Sequence, residues 1–463
     1  MSPLLIGAIV GLILLVTMAL GIPVAFALGF TAMISVALFL TPAQFSYFAD
    51  FVFSSLNDFA LLAIPLFVLM GAIFGQSKAS QDLLEAAHVW LGRLLGGLAM
   101  SSVVACSLFA ALTGSSPATS AAIGRIAIPE MQRRGYPNGV ATGAIVAGGT
   151  LGILIPPSVT LILYGIATET SIGRLFLGGV VPGIVVTVLF CLWILIAMLL
   201  VRRSGSSQGP LGTRIEAETS RTAHDNSEAS PSVAGVESYT WTHRFAMLIK
   251  VIPFVALIVG VLSVLYLGIA TPSEAAAVGA LFALILVAVL YRSLTPRSLM
   301  DIALETTRTS TMILMIVAFS AVLGQILSFL NVPQELAQLI TGLEVNRWII
   351  FLGMNLLFLF LGFFIPPVAI ILVTMPVLFP IIRQLGFDPV WFGVVMTLNM
   401  EMGLITPPVG LNLYVVQGIA PDIPLRDILV GSLPYVAVLA VGIVILALFP
   451  GLVTWLPNQL MGQ

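Results

Sequence analysis

The chain has 463 residues, 59% of them hydrophobic and only 8% charged, where a soluble protein of ordinary makeup carries roughly 25% charged residues. That balance excludes a soluble globular domain and predicts an all-α polytopic membrane protein embedded in the lipid bilayer. A formal net charge of −2 without any concentrated basic surface excludes nucleic acid as a partner.

The start, Met1-Ser2-Pro3-Leu4-Leu5-Ile6, lacks a basic n-region, and its apolar stretch runs past residue 35. It therefore reads as a retained first span and not as a cleaved leader. Apolar runs of about 20 residues, the length that crosses a bilayer, fall near 4 to 20, 22 to 40, 58 to 75, 138 to 169, 175 to 200, 245 to 268, 272 to 291, 308 to 330, 390 to 420 and 427 to 450. Each is expected to be a full crossing, and Asp58 and Glu274 stand near span ends as interfacial residues.

Two further stretches, 96 to 131 and 347 to 383, are interrupted near the middle, by Thr113-Gly114-Ser115-Ser116-Pro117-Ala118-Thr119-Ser120 and by Gly362-Phe363-Phe364-Ile365-Pro366-Pro367. Their arms are shorter than a span, which predicts re-entrant hairpins. An amphipathic segment precedes each. In Gln81 to Leu95 the residues Leu83, Leu84, Ala87, Trp90, Leu91 and Leu94 recur at three- and four-residue spacing, as in an arm helix lying in the interface.

After each hairpin comes a span with a proline pair in its middle. The first contains Gly152-Ile153-Leu154-Ile155-Pro156-Pro157, the second Gly403-Leu404-Ile405-Thr406-Pro407-Pro408, and Pro129 and Gly135 return at the same offset as Pro380 and Gly386. Paired prolines remove two backbone donors and bar the α region before them, so the helix must break. Freed carbonyls at membrane depth need a wet or protein-lined setting, and paired broken helices in two halves point to a transporter's binding site. Two merely kinked structural helices are the alternative.

The chain thus divides into a first repeat, 1–200, with scaffold helices, arm helix, hairpin 96–131 and broken helix 138–169. A polar cytoplasmic linker follows, 201–244, rich in Ser, Gly, Thr and acidic residues. The second repeat, 245–463, has hairpin 347–383 and broken helix 390–420. With a periplasmic N-terminus most Lys and Arg fall in inside loops, including 292 to 308, as the positive-inside rule asks. The hairpins then enter from opposite sides, so the halves are inverted repeats.

Candidate chemistry gathers at the interruptions. Hydroxyls of Thr113, Ser115, Ser116, Thr119 and Ser120 suit Na⁺ or a substrate carboxylate, or interhelical hydrogen bonds. Arg125, two turns past the tip, has an anionic substrate as its obvious partner, or else pairs with Glu130 or faces the cytoplasm. Glu401 beside the second break binds Na⁺ or H⁺, or satisfies local backbone. Cys106 and Cys191 read as free buried thiols, and His88, His224 and His243 are scattered, so no metal site other than for Na⁺ is indicated. Absence of His-Glu-x-x-His, Gly-x-Ser-x-Gly and Walker A sequences argues against an enzyme and against ATP-driven transport.

These residues resemble a known family. Gly114-Ser115-Ser116-x-Ala118-Thr119, Pro129-x-Met131 with Gly135-Tyr136, Ile155-Pro156-Pro157-Ser158, Gly386-Phe387-Asp388-Pro389 and Thr406-Pro407-Pro408-Val409-Gly410 are similar to motifs of the large membrane subunit of tripartite ATP-independent periplasmic (TRAP) transporters. The resemblance implies an elevator-type transporter in the bacterial inner membrane, with Na⁺ as coupling ion and no organic cofactor. It implies uptake of a carboxylate, such as a C4-dicarboxylate, keto acid, sugar acid or sialic-acid-like compound. It also implies a periplasmic substrate-binding protein and a small membrane subunit of about four helices, expected here as a separate chain. Carried over by motif, one Na⁺ site takes Ser115, Ser116, Gly152, Ile155 and Pro157, the other Gly362, Gly403, Thr406 and Val409. Substrate falls to Ser116, Thr119, Arg125 and Asn399. A stand-alone organic anion symporter without a binding protein is the alternative, and a channel or structural scaffold the more distant one.

Overall fold

Proline and short polar residues set where helices begin. Ser2 caps α1 (Pro3–Ala19) by accepting from Leu5 N. Thr271 and Thr295 each precede a proline and close a capping box, with Glu274 and with Ser298, at the starts of α12 (Pro272–Leu286) and α13 (Pro296–Phe329). Asp58 likewise accepts from Ala60 N at 2.8 Å. The two acids read as interfacial are thus helix-start caps. The computed structural model describes residues 1–204, 240–342 and 345–462; it is 84% helical and, among the described residues, has no strand.

The remaining helices follow in order. After α1 come α2 (Val24–Phe39), α3 (Ser46–Leu56), α4 (Ala63–Gly75) and the amphipathic α5 (Ala79–Leu91). The first helix pair is α6 (Gly97–Thr113) and α7 (Ser116–Arg133); the first interrupted helix is α8 (Asn138–Thr150) with α9 (Val159–Thr168). Then come α10 (Ile172–Ser204) and, before α12, α11 (Trp241–Tyr266). Beyond α13 stand the amphipathic α14 (Val332–Thr341), the pair α15 (Arg347–Gly362) and α16 (Pro367–Gln384), the interrupted α17 (Pro389–Leu404) with α18 (Leu411–Ile419), and finally α19 (Leu425–Leu448) and α20 (Gly451–Met461).

Among the described residues six helices, not ten, are long and apolar enough to cross a bilayer: α10, α11, α12 with its final turn to Tyr291, α13, α16 and α19. The other apolar runs are cut. The first two stop at 17 and 16 residues, and residues 43–75 form two segments bent by 60°. The stretch 292–308, expected as a loop, is mostly the first turns of α13, because the Thr295-Pro296 start outweighs its polar composition. The linker expected over 201–244 gives up residues 201–204 to α10 and 241–244 to α11, with Thr240 at the N-cap of α11; residues 205–239 lie outside the described residues.

An inner group of helices packs α8 against α7, α6 and α19 and α15 against α17, while α4, α2 and α3 gather around α13. The α8–α19 contact depends on small residues: a β-carbon on Gly143 would stand 2.7 Å from the Gly431 carbonyl carbon. Such close backbone approach is how helices hold together where lipid removes the hydrophobic drive. Ile252, Val259, Val278 and Leu281, on α11 and α12, remain exposed, an apolar surface suited to lipid.

Candidate functional site

The site begins with two interruptions. Thr150 ends α8, a short 3₁₀ turn covers Leu151–Ile153, and the chain crosses Pro156-Pro157 before Ser158 starts α9. Ser158 accepts from Leu161 N at 3.3 Å and donates to Ile153 O at 2.5 Å, so one hydroxyl serves both ends of the break. In the second half α17 ends at Leu404 and α18 starts after Gly410, whose φ of +48° lies in the left-handed region.

Each interruption meets the turn of the preceding helix pair. A β-carbon on Gly152 would lie 2.7 Å from the Ser115 carbonyl, and one on Gly114 would lie 2.8 Å from Pro157 O. The first turn and first break therefore touch through backbone, and Ser115, Ser116, Gly152 and Pro157 are brought together. Ile155 is the exception in its set, since its side chain packs on Gly183. In the second half a β-carbon on Gly403 would lie 2.7 Å from Gly362 Cα. Val409 N donates to Phe363 O at 3.2 Å, and Thr406 Oγ1 donates to Met402 O at 2.5 Å. Gly362, Gly403, Thr406 and Val409 thus share one locality.

Both turns open on a cavity of about 220 Å³. Thr113, Ser115 and Ser116 line it from the first half and Pro366 and Pro367 from the second; Gly71 of α4 and Glu305 and Thr309 of α13 close the far wall. The N-termini of α7 and α16 both lie on this wall, and helix N-termini favour anions. Glu305 is the one charged residue on the wall among the described residues. A larger cavity of about 550 Å³ elsewhere borders Arg174, Arg383, Glu169 and Asp388, opposite charges in equal number, and none of the turn residues.

The predicted substrate residues separate. Ser116 is on the wall, fully buried. Thr119 lies behind it, sharing a hydrogen bond of 3.0 Å with Thr113 and donating to Ser115 O at 2.8 Å. Asn399 gives both hydrogens of its Nδ2 to Asn355, to O and Oδ1, each at 3.0 Å, away from the cavity. Arg125 is exposed and off the wall, and Glu130 pairs with Arg133 and Arg134 at 3.8 and 2.8 Å. Glu401 is fully buried. Sequence reading missed Asn412, which donates to Ser116 Oγ at 2.7 Å and so ties α18 to the first turn; only its place just past the second proline pair hints at it. It also missed Glu305, hidden in the stretch read as a loop.

Among the described residues, six helices able to cross a bilayer, and helix turns that converge with broken helices on one cavity, define a polytopic membrane protein. Residues 11–452 match the family model described as the tripartite ATP-independent periplasmic transporter, DctM component, and the chain belongs to that family of large permeases. It is 36% identical over 433 residues to the C4-dicarboxylate TRAP transporter large permease protein DctM of Pseudomonas aeruginosa, covering 94% of each chain. It is 34% identical over 403 residues to the isethionate TRAP transporter permease protein DctMQ of Oleidesulfovibrio alaskensis, covering 87% of this chain and 59% of that one. Among solved structures, the Alcanivorax borkumensis YdaH transporter superposes with a TM-score of 0.58 at 18% identity, over 89% of this chain and 90% of the other, a likeness of fold alone.

Proposed function

We propose that the chain carries a carboxylate into the cell with Na⁺, as the large permease of a TRAP transporter in a bacterial inner membrane. The observation that carries this reading is the cavity on which two helix N-termini and the Ser115 and Ser116 hydroxyls converge. An anion there finds dipoles and hydroxyls but no basic side chain, and Glu305 opposes it. Na⁺ held at the two turns supplies the missing positive charge, which couples ion to substrate. One ion is assigned to Ser115, Ser116, Gly152 and Pro157, with Ile155 contributing through its backbone, and the other to Gly362, Gly403, Thr406 and Val409. The halves act as inverted repeats with the N-terminus in the periplasm. The turns and broken helices slide as one body past α4 and α13, with α5 and α14 as arms.

A soluble periplasmic binding protein delivers the substrate, and a small membrane subunit completes the assembly. The relatives are named for C4-dicarboxylate and isethionate, a carboxylate and a sulfonate, which supports an organic anion as the substrate. Uptake into proteoliposomes containing this chain and the small subunit, with an inward Na⁺ gradient and a panel of labelled carboxylates, tests the reading. Accumulation that needs both Na⁺ and the binding protein supports it. Na⁺-driven accumulation indifferent to the binding protein moves the assignment to a stand-alone symporter, and transport without Na⁺ overturns the coupling.

A further inference from the structure

Two clusters of side chains join the amphipathic α5 to α11, and they treat their positive charges differently. Lys250 of α11 reaches Asp82 Oδ1 at 3.4 Å and Glu85 Oε2 at 3.2 Å, so its charge is met. Nearer the start of α11, the guanidinium of Arg244 lies against Trp241 and against Trp90 of α5, its Cζ 5.0 and 5.9 Å from the ring centroids. Arg244 is only 9% exposed, its Nε has no hydrogen-bond acceptor, and no carboxylate pairs with it among the described residues.

Position makes this buried cation more costly still. Arg244 stands in the first turn of a 26-residue helix, where the macrodipole already presents positive charge and the first amides have no partner inside the helix. Thr240, the N-cap, supplies no side-chain hydrogen bond there. A buried guanidinium beside a helix start calls for an anion, and a phosphate matches both kinds of donor. Further along, Phe245, Ile249 and Ile252 fall on one face of α11 and are all exposed. An anion that carries its own acyl chains suits both parts, whereas a free ion leaves the apolar face uncovered. We propose that Arg244, Trp90, Trp241 and the first turn of α11 bind the phosphate of an anionic phospholipid whose chains lie along Phe245, Ile249 and Ile252. The headgroup then joins α5 to α11 where no ion pair does. Its placing in the cytoplasmic leaflet, where anionic lipid meets basic segments, rests on the orientation proposed above; the binding does not.

The test is native mass spectrometry of the purified assembly of this chain and its small subunit, titrated in detergent with phosphatidylglycerol or with phosphatidylcholine of the same chains. Wild type is expected to take one phosphatidylglycerol at least about tenfold more tightly than phosphatidylcholine, and inorganic phosphate is expected not to displace it. Arg244→Gln is expected to remove that preference. Arg244→Lys keeps the charge without the planar fork, is expected to retain a preference of about threefold, and serves if the first variant does not assemble. Equal affinity for the two lipids in wild type, or a preference unchanged in either variant, overturns the site. Displacement by inorganic phosphate overturns the lipid as its occupant. The assay uses neither Na⁺ nor substrate, so its failure and a failure of coupled transport are read separately.

Discussion

The two breaks have the same punctuation and different construction. At the first, Pro156 and Pro157 are buried, Gly152 closes on the Ser115 carbonyl, and the facing turn carries hydroxyls. At the second, Pro407, Pro408 and Val409 are exposed and the facing turn is Phe363, Phe364 and Ile365, so the polar atoms on offer come mostly from backbone. The difference teaches that the first half offers its cavity side chains as well as carbonyls, while the second depends on how closely Gly362 and Gly403 approach. Deleting a side-chain oxygen should therefore hurt the first half and spare the second. Adding a methyl should hurt both.

The largest effect is expected for Gly152→Ala and Gly403→Ala. Each new methyl meets backbone at 2.7 Å, which no rotamer change relieves, and overpacking of this kind costs roughly 1–3 kcal/mol. Uptake should be nearly lost and the melting temperature lowered in both, and a wild-type melting temperature in either would show that the close approach is not needed. Next comes Ser116→Ala, which removes the hydroxyl that accepts from Asn412. Half-saturation by Na⁺ should rise by about tenfold with expression unchanged, the scale of one lost charge-assisted contact. Full transport at limiting Na⁺ would take Ser116 out of the site.

Thr406→Val should do much less, shifting Na⁺ half-saturation by about twofold or less, because the polar atoms on offer at the second turn come mostly from backbone, which the substitution keeps. A shift as large as that of Ser116→Ala would erase the contrast between the halves. The smallest effect is expected for Arg125→Ala. The side chain is exposed and off the cavity wall, so substrate affinity should stay within about twofold of wild type, as for surface charges in general. A large loss of affinity would bring Arg125 back as the anion's partner.

Much of the architecture was readable because it is written in residues that constrain backbone. Pro156-Pro157, Pro407-Pro408, Gly114 and the Pro366-Pro367 turn act locally, and the breaks stand where those residues put them. Helix lengths were less readable: apolar composition does not reveal a stop such as the left-handed Gly21 or the bend at Asn57, which trimmed ten expected crossings to six long helices. Conversely, Thr295-Pro296-Arg297-Ser298 outweighed the charges that made 292–308 look like a loop. Of the site, the turn serines were legible from their cluster. The role of Asn412 was not, because a contact between α18 and α7 depends on tertiary packing that no local pattern encodes. Arg125 stayed open between an anion's partner and a cytoplasm-facing charge, because periodicity alone did not settle its side of α7; the structure leaves it exposed.

Coupling between ion and substrate is the central claim, and linkage tests it most directly. On the purified assembly, Na⁺ should raise substrate affinity, and saturating substrate should raise Na⁺ affinity by the same factor. Na⁺ affinity that is indifferent to saturating substrate would contradict a site in which the ions supply the charge that holds the anion.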